Sequence, residues 1–83
     1  MKIQIKKIRS PYNKDFVEIQ ARAEADGPKL RDILEALKAF KDQETLKKCF
    51  EAKMVSAWAK IGTRFHPLGN IPFEMYNQFL KQS

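Results

Sequence analysis

Six cations, Lys6, Lys7, Arg9, Lys53, Lys60 and Arg64, are the residues whose type and grouping most plainly suit a ligand. Clustered lysine and arginine hold phosphates because each phosphate neutralised releases bound counterions. Residues 1–14 carry five bases and no acid, and residues 47–83 carry six bases and two acids. Between them, residues 15–46 carry five bases against eight acids, so the positive charge is segregated to the two ends. With a net charge of +6, this pattern points to an anionic partner, either nucleic acid or an acidic protein surface. Tyr12 and Phe65 lie beside these bases, where their rings could stack on the bases of a single strand.

Covalent chemistry finds little material. Cys49 is the only thiol and His66 the only imidazole. A thiol nucleophile needs a base and an orienting group, and a structural zinc needs four ligands; one Cys and one His supply neither. Asp32 and Glu35 read as partners of Arg31 and Lys38 on a helix surface. The three glycines are dispersed and form no phosphate-cradling loop. No catalytic residue, metal site or cofactor is therefore expected, and Cys49 and His66 read as a buried structural thiol and a loop residue beside Pro67.

The lone cysteine excludes an intramolecular disulfide and fits the reducing cytoplasm. MKIQIKKIRS lacks the apolar core of a signal peptide, and no apolar run approaches the ~18 residues of a membrane span. A single cytoplasmic domain, residues 1–83, with no membrane contact is the expectation.

The elements that must position the cations follow from periodicity. Ile3 and Ile5 alternate with Lys2, Gln4 and Lys6, which predicts a first strand over residues 2–9, with a bulge or an end at Ile8. Ser10–Lys14 has turn chemistry. Val17, Ile19, Ala21 and Ala23 alternate with Glu18, Gln20, Arg22 and Glu24, which favours a second strand pairing antiparallel with the first; a helix capped by Asp15 is the competing reading. Asp26-Gly27-Pro28 opens a helix, capped by Asp26 or Gly27, whose stripe is Leu30, Ile33, Leu34, Leu37 and Phe40. Asp42 is the expected N-cap of a second helix running to Ile61 and ended by Gly62. That helix places Leu46, Phe50, Met54, Ala57, Trp58 and Ile61 on one broad stripe, with Lys53, Ser56 and Lys60 on its flank. Thr63–Ile71 reads as a loop, and Asn70 and Pro72 start a last helix reaching Lys81. The expected fold is α+β: an N-terminal antiparallel β-hairpin packed against two or three helices, in the order ββααα.

Two functions follow. In the first, a non-catalytic module lays its basic hairpin and second helix on nucleic acid or another polyanion. In the second, the last helix, apolar over a wide arc through Phe73, Tyr76 and Phe79, docks on a protein. Its partner is a second copy of the chain or a host protein, as for the small inhibitors encoded by phages and other mobile elements.

Overall fold

Ile3 and Ile5 lie on one side of the first strand, β1 (Ile3–Arg9), and Gln4, Lys6 and Ile8 on the other. The structure is a computed structural model that describes residues 2–9 and 17–82. The Ser10–Lys14 turn, Tyr12 and the competing Asp15 cap lie outside the described residues. The second strand forms as the alternation predicts: β2 (Val17–Ala23) pairs antiparallel with β1, from Ile3 opposite Ala23 to Arg9 opposite Val17. No bulge interrupts β1 at Ile8, which pairs with Glu18 in unbroken register. Lys7 takes the inward-facing position instead, and its ammonium reaches Asp42 Oδ2 at 3.2 Å.

Helix α1 (Leu30–Ala39) follows, with Ile33, Leu34 and Leu37 buried. Its N-cap is Lys29, with no side-chain cap bond, rather than Asp26 or Gly27. Helix α2 (Gln43–Glu51) starts at Asp42 as expected. Asp42 accepts from the Thr45 amide at 3.0 Å and from the Thr45 hydroxyl at 2.6 Å. The Thr45 hydroxyl, then its amide, then Lys7 hold the Asp42 carboxyl at about 2, below its usual 3.8. Gln43 ties the helices together. Its amide donates to the carbonyls of Leu37 (2.9 Å) and Phe40 (2.6 Å), and its oxygen accepts from Tyr76 Oη at 3.0 Å.

The second helix does not run to Ile61; it stops at Glu51, and residues Val55–Ile61 form a strand, β3. The stop is a Schellman motif: the Lys53 amide donates to Phe50 O (3.0 Å) and the Met54 amide to Cys49 O (2.8 Å). The left-handed position between them, where glycine is usual, is held by Lys53 at φ 58°. A left-handed non-glycine residue costs roughly 1–2 kcal/mol. Lys53→Gly relieves that strain and loses some backbone entropy, so it is expected to raise stability by about 0.5–1 kcal/mol. The readout is a higher urea midpoint with unchanged slope; an unchanged or lower midpoint would show that the strain is relieved elsewhere.

β3 pairs parallel with β2, Ile19 opposite Val55 and Ala23 opposite Ala59, and α1 and α2 form the crossover between them. Gly62, at φ +67°, turns the chain into β4 (Arg64–Asn70), antiparallel to β3, where a loop was expected. α3 (Phe73–Gln82) closes the chain, with Pro72 just ahead of it. The fold is thus α+β, but its order is ββααββα and not ββααα: a four-stranded mixed sheet, order β1-β2-β3-β4, with three helices.

The helices share one face of the sheet. α1 packs on β1, β2 and α3, and α2 packs on β2 and β3. Between the layers lie Ile19, Ala21, Val55 and Ala57 from the sheet and Leu37, Leu46, Cys49, Phe50, Ile71 and Tyr76 from the helical side. The alanines Ala21, Ala23 and Ala59 are fully buried, small enough to let the helices settle close to the central strands. No helix is long and apolar enough to cross a membrane among the described residues.

Candidate nucleic-acid interface

Side chains alternate along each strand, so the residues that do not face the helices form a second surface. It reads Gln4, Lys6 and Ile8 on β1, Glu18, Gln20 and Arg22 on β2, Ser56, Trp58 and Lys60 on β3, and Phe65, Pro67 and Asn70 on β4. No helix of the described residues packs on it. The register sets these residues in rows across the sheet: Lys6–Gln20–Ser56–Asn70, then Gln4–Arg22–Trp58–Pro67, then Lys60–Phe65.

A chain of hydrogen bonds fixes the middle of this face. Trp58 Nε1 donates to Ser56 Oγ at 2.9 Å, and Ser56 Oγ donates to Glu18 Oε1 at 3.2 Å. Gln20 Nε2 donates to the same carboxylate oxygen at 3.2 Å, and its Oε1 accepts from Arg22 Nε at 2.9 Å. The Arg22 guanidinium carbon lies 5.3 Å from the centre of the Phe65 ring, a cation–π distance. Since β2 and β4 are not neighbours, Arg22 must cross β3, where the residues on this face are Trp58 and Lys60. Gln20 and Ser56 are buried, at 7% exposure each, although no helix covers them; their own neighbours on this face do.

Cations outnumber acids on this face. Lys6, Arg22 and Lys60 share it with Glu18, which is already bonded to Ser56 and Gln20, and with Glu24, which follows Arg22 in the same phase and whose amide donates to Lys2 O at 3.0 Å. Strand spacings of ~4.8 Å and rises of ~3.3 Å per residue put Lys6 and Phe65 roughly 20 Å apart along a diagonal, with Arg22, Trp58 and Lys60 between. Cations are thus interleaved with two rings on an open sheet face, the combination of groups that single-strand binding surfaces use.

The six cations singled out in the sequence do not form one surface. Lys6 and Lys60 share the open face. Lys7 lies on the helix side, bound to Asp42. Arg9 and Arg64 fall in the inward phase at strand ends, exposed, and Lys53 sits in the turn after α2. Arg22 and Trp58 were missed, since Trp58 was placed in the core of a helix. The alternation of Ser56, Trp58 and Lys60 against Val55, Ala57 and Ala59 is the signal that identifies both the strand and its outer face.

The proposed docking residues of the last helix also separate. Tyr76 belongs to the core at 4% exposure, stacked on Phe50 at 5.0 Å, so it offers no surface to a partner. Phe79 is partly buried against the core, and Phe73, edge-on to Phe50 at 5.7 Å, remains half exposed. The surplus aromatic surface is mostly spent on Phe50. Cys49 is buried, its thiol donating to Val17 O at 3.1 Å, and burial first, then the nearby Asp42 and Glu18 charges, pushes its ionisation up. That environment makes a poor nucleophile. His66 sits in β4, opposite Ala59.

Protein-family models, curated proteins and solved structures yielded no match to this chain.

Proposed function

We propose that this protein is a binding module that holds nucleic acid on the uncovered face of its sheet. What supports the reading above all is the diagonal Lys6–Arg22–Lys60, three cations on a face whose central carboxylate, Glu18, is turned to Ser56 and Gln20. Backbone phosphates supply most of the affinity in such a contact, and counterion release supplies its salt dependence. Gln4 and Asn70, also on this face, are neutral and suited to sugar and base edges.

The test is the salt dependence of binding to a labelled oligonucleotide. Replacing Lys6 and Lys60 together by Ala is expected to lower the slope of log affinity against log salt by about 1.4–1.8, from roughly 0.7–0.9 for each phosphate contact. Lys7→Ala is expected to leave the slope unchanged, because Lys7 lies behind the sheet. Absence of binding at about 50 mM salt would sink the reading, and equal effects of Lys6 and Lys7 would place the contact elsewhere.

A further inference from the structure

We infer that the ligand of this face is a single strand rather than a duplex, held by stacking of unpaired bases on Trp58 and on the Arg22–Phe65 pair. The inference rests on the nucleic-acid reading above and specifies the ligand of the same site. Duplex recognition needs an element that fits a groove, and the rings here lie on a broad sheet instead. Stacking needs rings that stay in place, and both rings here have a fixed neighbour on the sheet: Trp58 through its ring N–H and Phe65 through the guanidinium over it. The only ring donor of Trp58 is given to Ser56, two residues back on its own strand, which tethers the indole and leaves its π-surface as what it offers. Phe65 carries the Arg22 guanidinium at 5.3 Å, and a planar guanidinium stacks on a base as a ring does.

The spacing fits as well. Trp58 is opposite Pro67 and Lys60 opposite Phe65, so Trp58 and Phe65 are diagonal neighbours on adjacent strands. Such positions are about 7–8 Å apart, roughly twice the ~3.4 Å rise of stacked bases in a duplex strand. Two successive bases would therefore be parted from each other, each on its own platform. Lys6 and Lys60 flank them where the backbone would pass. A diagonal of roughly 20 Å accommodates about three to six nucleotides, depending on how far the strand is drawn out.

Trp58 is the only tryptophan, so its fluorescence reports the contact directly. The intact protein is titrated with oligothymidylate, with a hairpin duplex of equal charge, and with inorganic polyphosphate. Oligothymidylate is expected to quench the indole and to bind more tightly than the other two. Trp58→Ala is expected to weaken oligothymidylate binding about 5- to 150-fold, the range for loss of one stacked base, without changing the salt slope. Trp58→Phe, which keeps a ring on the sheet, is expected to retain most of the affinity and guards against a folding defect. If the duplex or polyphosphate binds equally well, or Trp58→Ala binds like the parent, the stacking inference is overturned while the cationic reading stands. If none of the three ligands binds at about 50 mM salt, the nucleic-acid reading itself falls.

Discussion

Deleting Leu68 is expected to destabilise the protein by at least ~2 kcal/mol, whereas Leu68→Ala, at a residue 53% exposed, is expected to change stability by no more than ~0.5 kcal/mol. The turn at Gly62 and Thr63 sets Ile61 opposite Arg64, and from there Lys60 meets Phe65 and Trp58 meets Pro67. Strict alternation would carry every odd-numbered residue of this stretch onto the open face with Phe65. Yet Ile71 is buried on the helix side at 5% exposure, its amide bonded to Val55 O at 2.9 Å. The register shift at Ala57/Trp58 reconciles the two: Leu68 is the extra residue, after which Gly69 meets Ala57 and Asn70 meets Ser56. Without it, either Phe65 turns inward or Ile71 turns out, because a one-residue slip exchanges the faces of a strand. Exposing Ile71 alone forfeits about 1.5–3 kcal/mol, and α3, with Tyr76 against Phe50, starts only two residues later. Urea unfolding of the deletion beside Leu68→Ala decides the matter; equal midpoints would show that the bulge sets no phase.

Leu37→Ala is expected to cost about 2–5 kcal/mol, the usual range for a buried leucine truncated in a core that cannot collapse around the void. Leu37 is fully buried beneath the sheet. For 83 residues the total stability is roughly 4–12 kcal/mol, so this one change consumes a large share of it. Leu30 sits on the same predicted stripe of α1 but is 45% exposed, and Leu30→Ala is expected to cost about 0.5 kcal/mol or less. Thermal or urea unfolding of the pair measures the contrast. Similar losses at both positions would mean that Leu30 is covered in solution.

The contrast between Leu30 and Leu37 also bears on how much could be read in advance. The stripe of α1 was legible in the sequence, and so was the Asp42 cap, because helix period and cap chemistry are local. The first hairpin was legible for the same reason: Ile3 and Ile5, then Val17 and Ile19, alternate in plain view. The stretch 46–61 was not. It lacks glycine and proline, and Lys53 stands where a helix stop is usually glycine. Met54, Ala57, Trp58 and Ile61 also happen to suit a helical stripe. What makes Val55–Ile61 a strand is the free edge of β2, some thirty residues earlier, which no local pattern reveals. β4 was hidden by Pro67 and Gly69, which read as loop residues; an edge strand with a bulge tolerates both. The candidate site shared that fate. Lys6 and Lys60 were visible as charge, but Arg22 and Trp58 acquire their meaning only once β3 lies beside β2.

The order of the strands leaves β1 and β4 with one unpaired backbone edge each, the surface along which sheets add further chains and grow into aggregates. β4 meets a newcomer with Pro67, which has no N–H to give, and with a bulge that breaks the ladder. β1 meets it with Lys6, Lys7 and Arg9 on a strand without an acid, so a second β1 would be repelled. The growth of the sheet is thus stopped at one edge by a missing donor and at the other by like charge.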